Sequence, residues 1–307
     1  MTGWFRRAGG AGLVATLALA ACDRSPAPPA PLTAVASVYP LYEFTRHVAG
    51  PHLDVVSLVP PGVEPHDWEP SPQDLSRIRK ARVLVYNGAG LEPWVSKLGS
   101  GGSATATILV RATEGLPLLP AAPGDAGAHA EAASDPHVWL DPMLAQAMVE
   151  TIRVALARVD PAHAGVYAEN ARAFTAELAA LDAAFAAGLK DCARREIVTS
   201  HAAWAYLARR YRLAGVAVMG SAPESEPTPA RLASIVRFAR DRKVKYIFFE
   251  TLVSSRLADT LAREIGAQTL VFNPIEGVTA EQAAAGKGYI SLMEENLKNL
   301  RVALDCR

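Results

Sequence analysis

Apolar positions in the middle of the chain return at alternating steps of four and three. Tyr167, Ala171, Phe174, Leu178, Leu181 and Phe185 therefore fall on one stripe of a 3.6-residue helix. Asp160 and Pro161 suit its N-cap and first position, and alanine dominates the residues after them, with Gly165 the only glycine before Gly188. The pattern predicts one unbroken helix over 161–189, a rod of roughly 40 Å at ~1.5 Å per residue. On either side, short apolar runs alternate with helical patterns. Strands are expected at 34–39, 54–59, 83–86 and 108–110, and again at 196–200, 215–219, 245–249 and 269–272. Helices are expected at 41–48, after Ser71-Pro72, at 143–159 and 202–211, after Thr228-Pro229, and at 289–304. Such alternation implies parallel sheets, whose ligands gather beyond the carboxyl ends of the strands. The predicted fold is α/β: two parallel-sheet lobes, 33–159 and 191–307, joined by one long rigid helix, 160–190.

Composition adds a few limits. The 307 residues exceed what one hydrophobic core usually serves. Lys and Arg (31) balance Asp and Glu (31), which argues against the basic face of a nucleic-acid partner. At the N-terminus Arg6-Arg7 precedes an apolar run over 8–21 that is short for a membrane span and ends Leu19-Ala20-Ala21-Cys22. That is the pattern of a bacterial lipoprotein signal: 1–21 is expected to be removed, leaving Cys22 as the lipid-bearing first residue. The proline-rich stretch 22–32 then reads as a semi-rigid tether holding the folded body off a membrane surface. An extracytoplasmic chain meets oxidising conditions, so the two remaining cysteines, Cys192 and Cys306, are expected to form a disulfide.

Three of the seven histidines stand in constrained settings. His66 lies in a loop stiffened by Pro60, Pro61, Pro65 and Pro70; His137 lies between two Asp-Pro pairs; His201 ends a strand. Glu276 follows the last strand in Asn273-Pro274-Ile275-Glu276-Gly277. Loops of both lobes can thus face one cleft with three imidazoles and a carboxylate, a set that suits zinc and fills a tetrahedral shell. Glu250, at the end of another strand, is a candidate partner for a ligand. Glu224 and Glu226 read as solvated acids, His129 as a bystander in the Ala/Gly-rich loop 121–133, and His47, His52 and His163 as ordinary surface or hydrogen-bonded residues. Gly88-Ala89-Gly90 follows a strand like a dinucleotide loop, but Pro93 stands where the third glycine belongs, so nucleotide binding is rejected.

Taken together, the segments 62–70 (Gly-Val-Glu-Pro-His-Asp-Trp-Glu-Pro), 135–142 (Asp-Pro-His-Val-Trp-Leu-Asp-Pro), 199–204 (Thr-Ser-His-Ala-Ala-Trp) and 273–277 resemble the zinc/manganese solute-binding proteins of ABC importers. So does Gly288-Tyr289-Ile290-Ser291-Leu292-Met293 at the start of the last helix. The resemblance implies a metal held in the cleft between two lobes by His66, His137, His201 and Glu276, and delivery of Zn2+ to an ABC permease by a lipid-anchored monomer. Because the third histidine is kept, it implies the zinc branch, with manganese the alternative ion and a zinc hydrolase using Glu276 as base the alternative function. The long helix is expected to limit binding to local loop rearrangement, and zinc affinity to fall as pH drops through ~6.5.

Overall fold

Strands β1 (Thr33–Ala36), β2 (Asp54–Ser57), β3 (Val83–Tyr86) and β4 (Ile108–Arg111) pair in parallel in the order β2-β1-β3-β4. Strands β5 (Glu196–Thr199), β6 (Ala214–Ala217), β7 (Tyr246–Phe249) and β8 (Gln268–Val271) repeat that order as β6-β5-β7-β8. In each sheet the chain steps first to one side of its founding strand and then to the other. A crevice therefore opens at the carboxyl ends of β1 and β3, and another at those of β5 and β7. The computed structural model describes residues 1–2, 32–98, 107–121, 134–220 and 227–307, and both lobes lie in the single unit 31–307.

Around the sheets lie α1 (Tyr39–Ala49), α2 (Pro72–Lys80), α3 (Pro142–Val159), α4 (Ala164–Gly188), α5 (Ala205–Tyr211), α6 (Pro229–Asp241), α7 (Arg256–Ile265), α8 (Ala280–Ala284) and α9 (Tyr289–Ala303). All six stripe residues of α4 are buried, packed against α1 and α3 of the first lobe and α9 of the second. One apolar core consequently runs through both lobes, from Ala34 to Leu304, while separate clusters around Leu84 and Ile247 back the two sheets. A shared core of this kind favours a fixed relation between the lobes over a free hinge.

Several boundaries differ from expectation, each for a local reason. The long helix opens with a 3-10 turn, Pro161–His163, before α4 begins at Ala164. Asp160 does not cap the backbone: its carboxylate takes the Tyr167 hydroxyl at 2.5 Å and pairs with His163 Nδ1 at 2.7 Å. Strand β1 stops at Ala36 because α1 already starts at Tyr39, with Pro40 in its first turn. Helix α5 starts at Ala205, not 202, because the Ala202 N–H is bonded to the Gly220 carbonyl and the His201 N–H to Glu250. Helices α7 and α8 are absent from the expected elements, although α7 buries Ala258, Leu261 and Ala262 on one face and ends at left-handed Gly266, and Thr279 with Gln282 forms a capping box on α8. The Ser71 and Thr228 caps form as expected. Cys192 and Cys306 are bonded across 114 residues of sequence, tying the start of the second lobe to the segment after α9.

Candidate metal centre

Each half of the cluster comes from segments that follow two strands of one sheet. His66 follows β2 at the far side of the proline loop, and the loop is held to the opposite lobe by the Gly62 N–H, which donates to the Val278 carbonyl at 2.7 Å. His137 follows β4. Its backbone N–H donates to Asp135 Oδ1 at 2.9 Å, and the same oxygen lies 2.7 Å from its Nδ1, so one aspartate sets both the turn and the ring. His201 follows β5 and is gripped in the same way by Glu250, whose two oxygens lie 3.2 Å from its N–H and 2.7 Å from its Nδ1.

Glu276 follows β8 through a strained corner. Ile275, a β-branched and fully buried residue, adopts φ +60°, a conformation that persists only where surrounding contacts over-determine it. Here the Asn273 side chain accepts from the Ile275 N–H at 2.8 Å, and Asn296 of α9 clasps both backbone groups of Asn273 at 2.7 and 2.8 Å. The Trp139 indole N–H reaches the Pro274 carbonyl at 2.8 Å, joining the His137 loop to this corner. Strain at Ile275 turns the next side chain, Glu276, inward.

All three imidazoles present Nε2 to one oxygen. Glu276 Oε1 lies 2.7 Å from His137 Nε2, 3.1 Å from His201 Nε2 and 3.4 Å from His66 Nε2. His137 Nε2 is in turn 3.3 Å from Nε2 of both His66 and His201. A tetrahedral zinc with bonds of ~2.0–2.1 Å has ligand–ligand edges of ~3.3 Å, so these spacings leave room for one such ion. Because the Asp135 and Glu250 carboxylates hold Nδ1–H of His137 and His201, the neutral rings turn Nε2 lone pairs toward one another. Lone pairs facing at 3.3 Å, with buried Glu276 Oε2 left without a partner, form an arrangement that only protons or a cation can satisfy. The electrostatics of the metal-free site agree. Burial disfavours charge on His137, yet the Asp135 and Glu276 carboxylates outweigh it and raise its pKa to about 9. His201 is raised for the same reason, against burial, by Glu250 and Glu276. Burial pushes the Glu276 carboxyl up, but His66, His201 and His137 pull it well below the usual range.

Among the described residues this is the one group of three or more His, Cys, Asp or Glu side chains placed to hold a metal. The His66 side chain keeps 10% exposure, while those of the other three members are at most 1% exposed, so solvent reaches the cluster through His66. Asp135, absent from the candidates drawn from sequence, is signalled there only by its place two residues before His137. His47 stacks on Phe174, and His52 stacks on His163, away from the cluster. Cys22, His129, Glu224 and Glu226 lie outside the described residues.

Two parallel-sheet lobes, packed on one long helix and meeting over a buried His3Glu cluster, define a two-lobed solute-binding protein. The chain belongs to the ZnuA family, zinc-uptake complex component A, periplasmic, whose profile matches residues 34–303. It is 39% identical over 295 residues to the zinc-binding lipoprotein AdcA of Streptococcus pneumoniae, covering 94% of this chain and 59% of that protein. It is 38% identical over 282 residues to the high-affinity zinc uptake system protein ZnuA of Bacillus subtilis, covering 89% and 88%. The crystal structure of the Zn(II)-bound ZnuA-like domain of S. pneumoniae AdcA superposes with a TM-score of 0.78 at 40% identity, over 90% of this chain and all of that one. The chain therefore spans less than two thirds of full-length AdcA and all of its ZnuA-like domain.

Proposed function

We propose that this chain is an extracytoplasmic receptor that binds Zn2+ between its lobes and delivers it to an ABC permease in the cytoplasmic membrane. One observation carries the reading: three Nε2 atoms and one carboxylate oxygen converge at 2.7–3.4 Å, with two of the rings oriented by carboxylates on their far nitrogens. His66, His137, His201 and Glu276 are the ligands, two from each lobe, so the ion itself fastens the lobes. Three imidazoles favour zinc over manganese, which prefers oxygen. Zinc-binding relatives that match most of the chain support the same cargo. A hydrolase would keep a metal position open for water, whereas four protein ligands fill a tetrahedral shell. Lipidation at Cys22 would keep the receptor beside its permease as a monomer, with the Cys192–Cys306 disulfide formed after export.

A competition titration of zinc against manganese on the purified mature protein tests the reading. One zinc per chain is expected, lost in His201→Ala and Glu276→Ala and retained in His129→Ala. A His129→Ala variant as defective as His201→Ala would overturn the ligand set, and zinc-dependent ester or peptide hydrolysis would overturn the receptor.

A further inference from the structure

The Gly88-Ala89-Gly90 turn, which resembles a phosphate loop but is rejected as one, has an occupant of its own. Its three residues adopt φ of 78°, 53° and 87°, folding the chain back so that Glu92 returns beneath the end of β3. There the Asn87 N–H donates to Glu92 Oε1 at 2.8 Å and the Gly88 N–H to Oε2 at 2.9 Å. The Ser37 hydroxyl, just past β1, donates to Oε1 at 2.5 Å. Backbone N–H groups at a strand end form an anion-binding concavity, and here the chain fills it with its own buried carboxylate. Burial pushes the Glu92 carboxyl up to about 7, against the hydrogen bonds from Ser37, Asn87, Gly88 and its own backbone that favour the charged form.

What the nest holds in place is Asn87. This residue is fully buried, its carbonyl accepts from the Thr113 hydroxyl past β4, and its side-chain Nδ2 donates to the carbonyls of Pro136 (2.9 Å) and Gly88 (3.2 Å). Two carbonyl acceptors fix the orientation of the amide. Pro136 immediately precedes His137, so the crevice between β1 and β3 is connected to the metal cluster through one side chain.

We propose that Asn87 is a positioning residue for the zinc site: held by the Glu92-filled nest, it sets the place of His137 through the Pro136 carbonyl. The proposal rests on His137 being a zinc ligand. Outer groups that orient metal ligands carry ~10–100-fold in affinity, and Asn87 acts one step further out, through the backbone.

The experiment measures zinc affinity by chelator competition, the visible d–d band of the Co2+-loaded protein, and the Tm of the metal-free protein. The variants are Asn87→Ala, Ser37→Ala, Glu92→Gln and, as a control for mere destabilisation, Val85→Ala in the buried middle of β3. Asn87→Ala is expected to weaken zinc by ~10-fold or more and to alter the Co2+ band. Ser37→Ala and Glu92→Gln should move both readouts in the same direction, Ser37→Ala least. Val85→Ala should lower Tm while leaving affinity and band unchanged. Wild-type affinity and band in Asn87→Ala overturns the proposal, as does an equal loss in Val85→Ala. A normal Ser37→Ala and a normal Glu92→Gln would remove the nest from it; should Glu92→Gln not fold, Ser37→Ala decides that part. His137→Ala is measured alongside: if it keeps wild-type zinc affinity, the ligand reading has failed, separately from the positioning role.

Discussion

In the proposed site a proton and the metal ion compete for the same His137 nitrogen, and that competition governs the pH response. Its pKa in the metal-free fold is about 9, above the ~6.5 of a free imidazole. A raised folded-state pKa contributes stability that is complete below ~6.5 and is lost as pH climbs through the folded value. The metal-free Tm should therefore lose this contribution between pH ~6.5 and ~9, while apparent zinc affinity rises over the same interval as the proton leaves more easily. The fall in affinity with falling pH is thereby expected to begin above the ~6.5 of an unperturbed imidazole. Affinity measured from pH 6 to 9 that levels off just above ~6.5 would contradict it. Asp135 and Glu250 act on the same rings from behind. Asp135→Asn and Glu250→Gln should each weaken zinc by ~10–100-fold, with His47→Ala at wild-type level; chelator competition distinguishes them.

At the scale of elements, α4 is the part most legible in the chain. Its buried stripe matches the predicted one residue for residue because a helix packed on one side writes its period directly into the sequence. Phe174 is 1% exposed and lies 5.8 Å, ring to ring, from Phe44 of α1. Phe174→Ala should cost ~3–5 kcal/mol in denaturant unfolding of the metal-free protein, yet change zinc affinity by less than tenfold, since the stripe supports the lobes and not the ligand loops. A zinc-binding loss as large as that of His201→Ala would mean that α4 shapes the site directly. Strand ends are less legible. At β1 and β5 the residues after the strand bond to side chains of other segments, Ser37 to Glu92 and His201 to Glu250, and local propensity carries no trace of those partners.

Across the whole molecule, a core continuous from Ala34 to Leu304 makes a wide hinge costly. Zinc should close the site by moving the loops around His66 and Glu276. Hydrogen exchange with and without zinc is expected to change chiefly over 60–70 and 273–278, and scattering curves of the two forms should superimpose. A large change in radius of gyration would refute this. The Cys192–Cys306 bond spans 114 residues, and closing so long a loop stabilises by up to ~5 kcal/mol in the chain-entropy account. The exported, unreduced protein should show no reactive thiol at either position, and reduction should lower its denaturation midpoint.

The α/β class, the long helix and the four candidate ligands are all readable from the chain, because each leaves a local mark: a period, a proline-stiffened turn, a histidine at a strand end. Tertiary structure alone decided how those marks combine. It brought Glu276 inward through left-handed Ile275, a conformation that local preference opposes and that the hydrogen bonds of Asn273, Asn296 and Trp139 at this corner sustain. It also put Asp135 behind His137, paired Glu250, already a candidate from its strand-end position, with His201, and filled the Gly88 turn, where nucleotide binding had been rejected, with Glu92. The physical reason is the same in each case. Periodicity records which face of an element is buried, whereas a hydrogen bond between residues 49 positions apart, such as His201 to Glu250 or Asn87 to Pro136, exists only once the strand ends have been brought together.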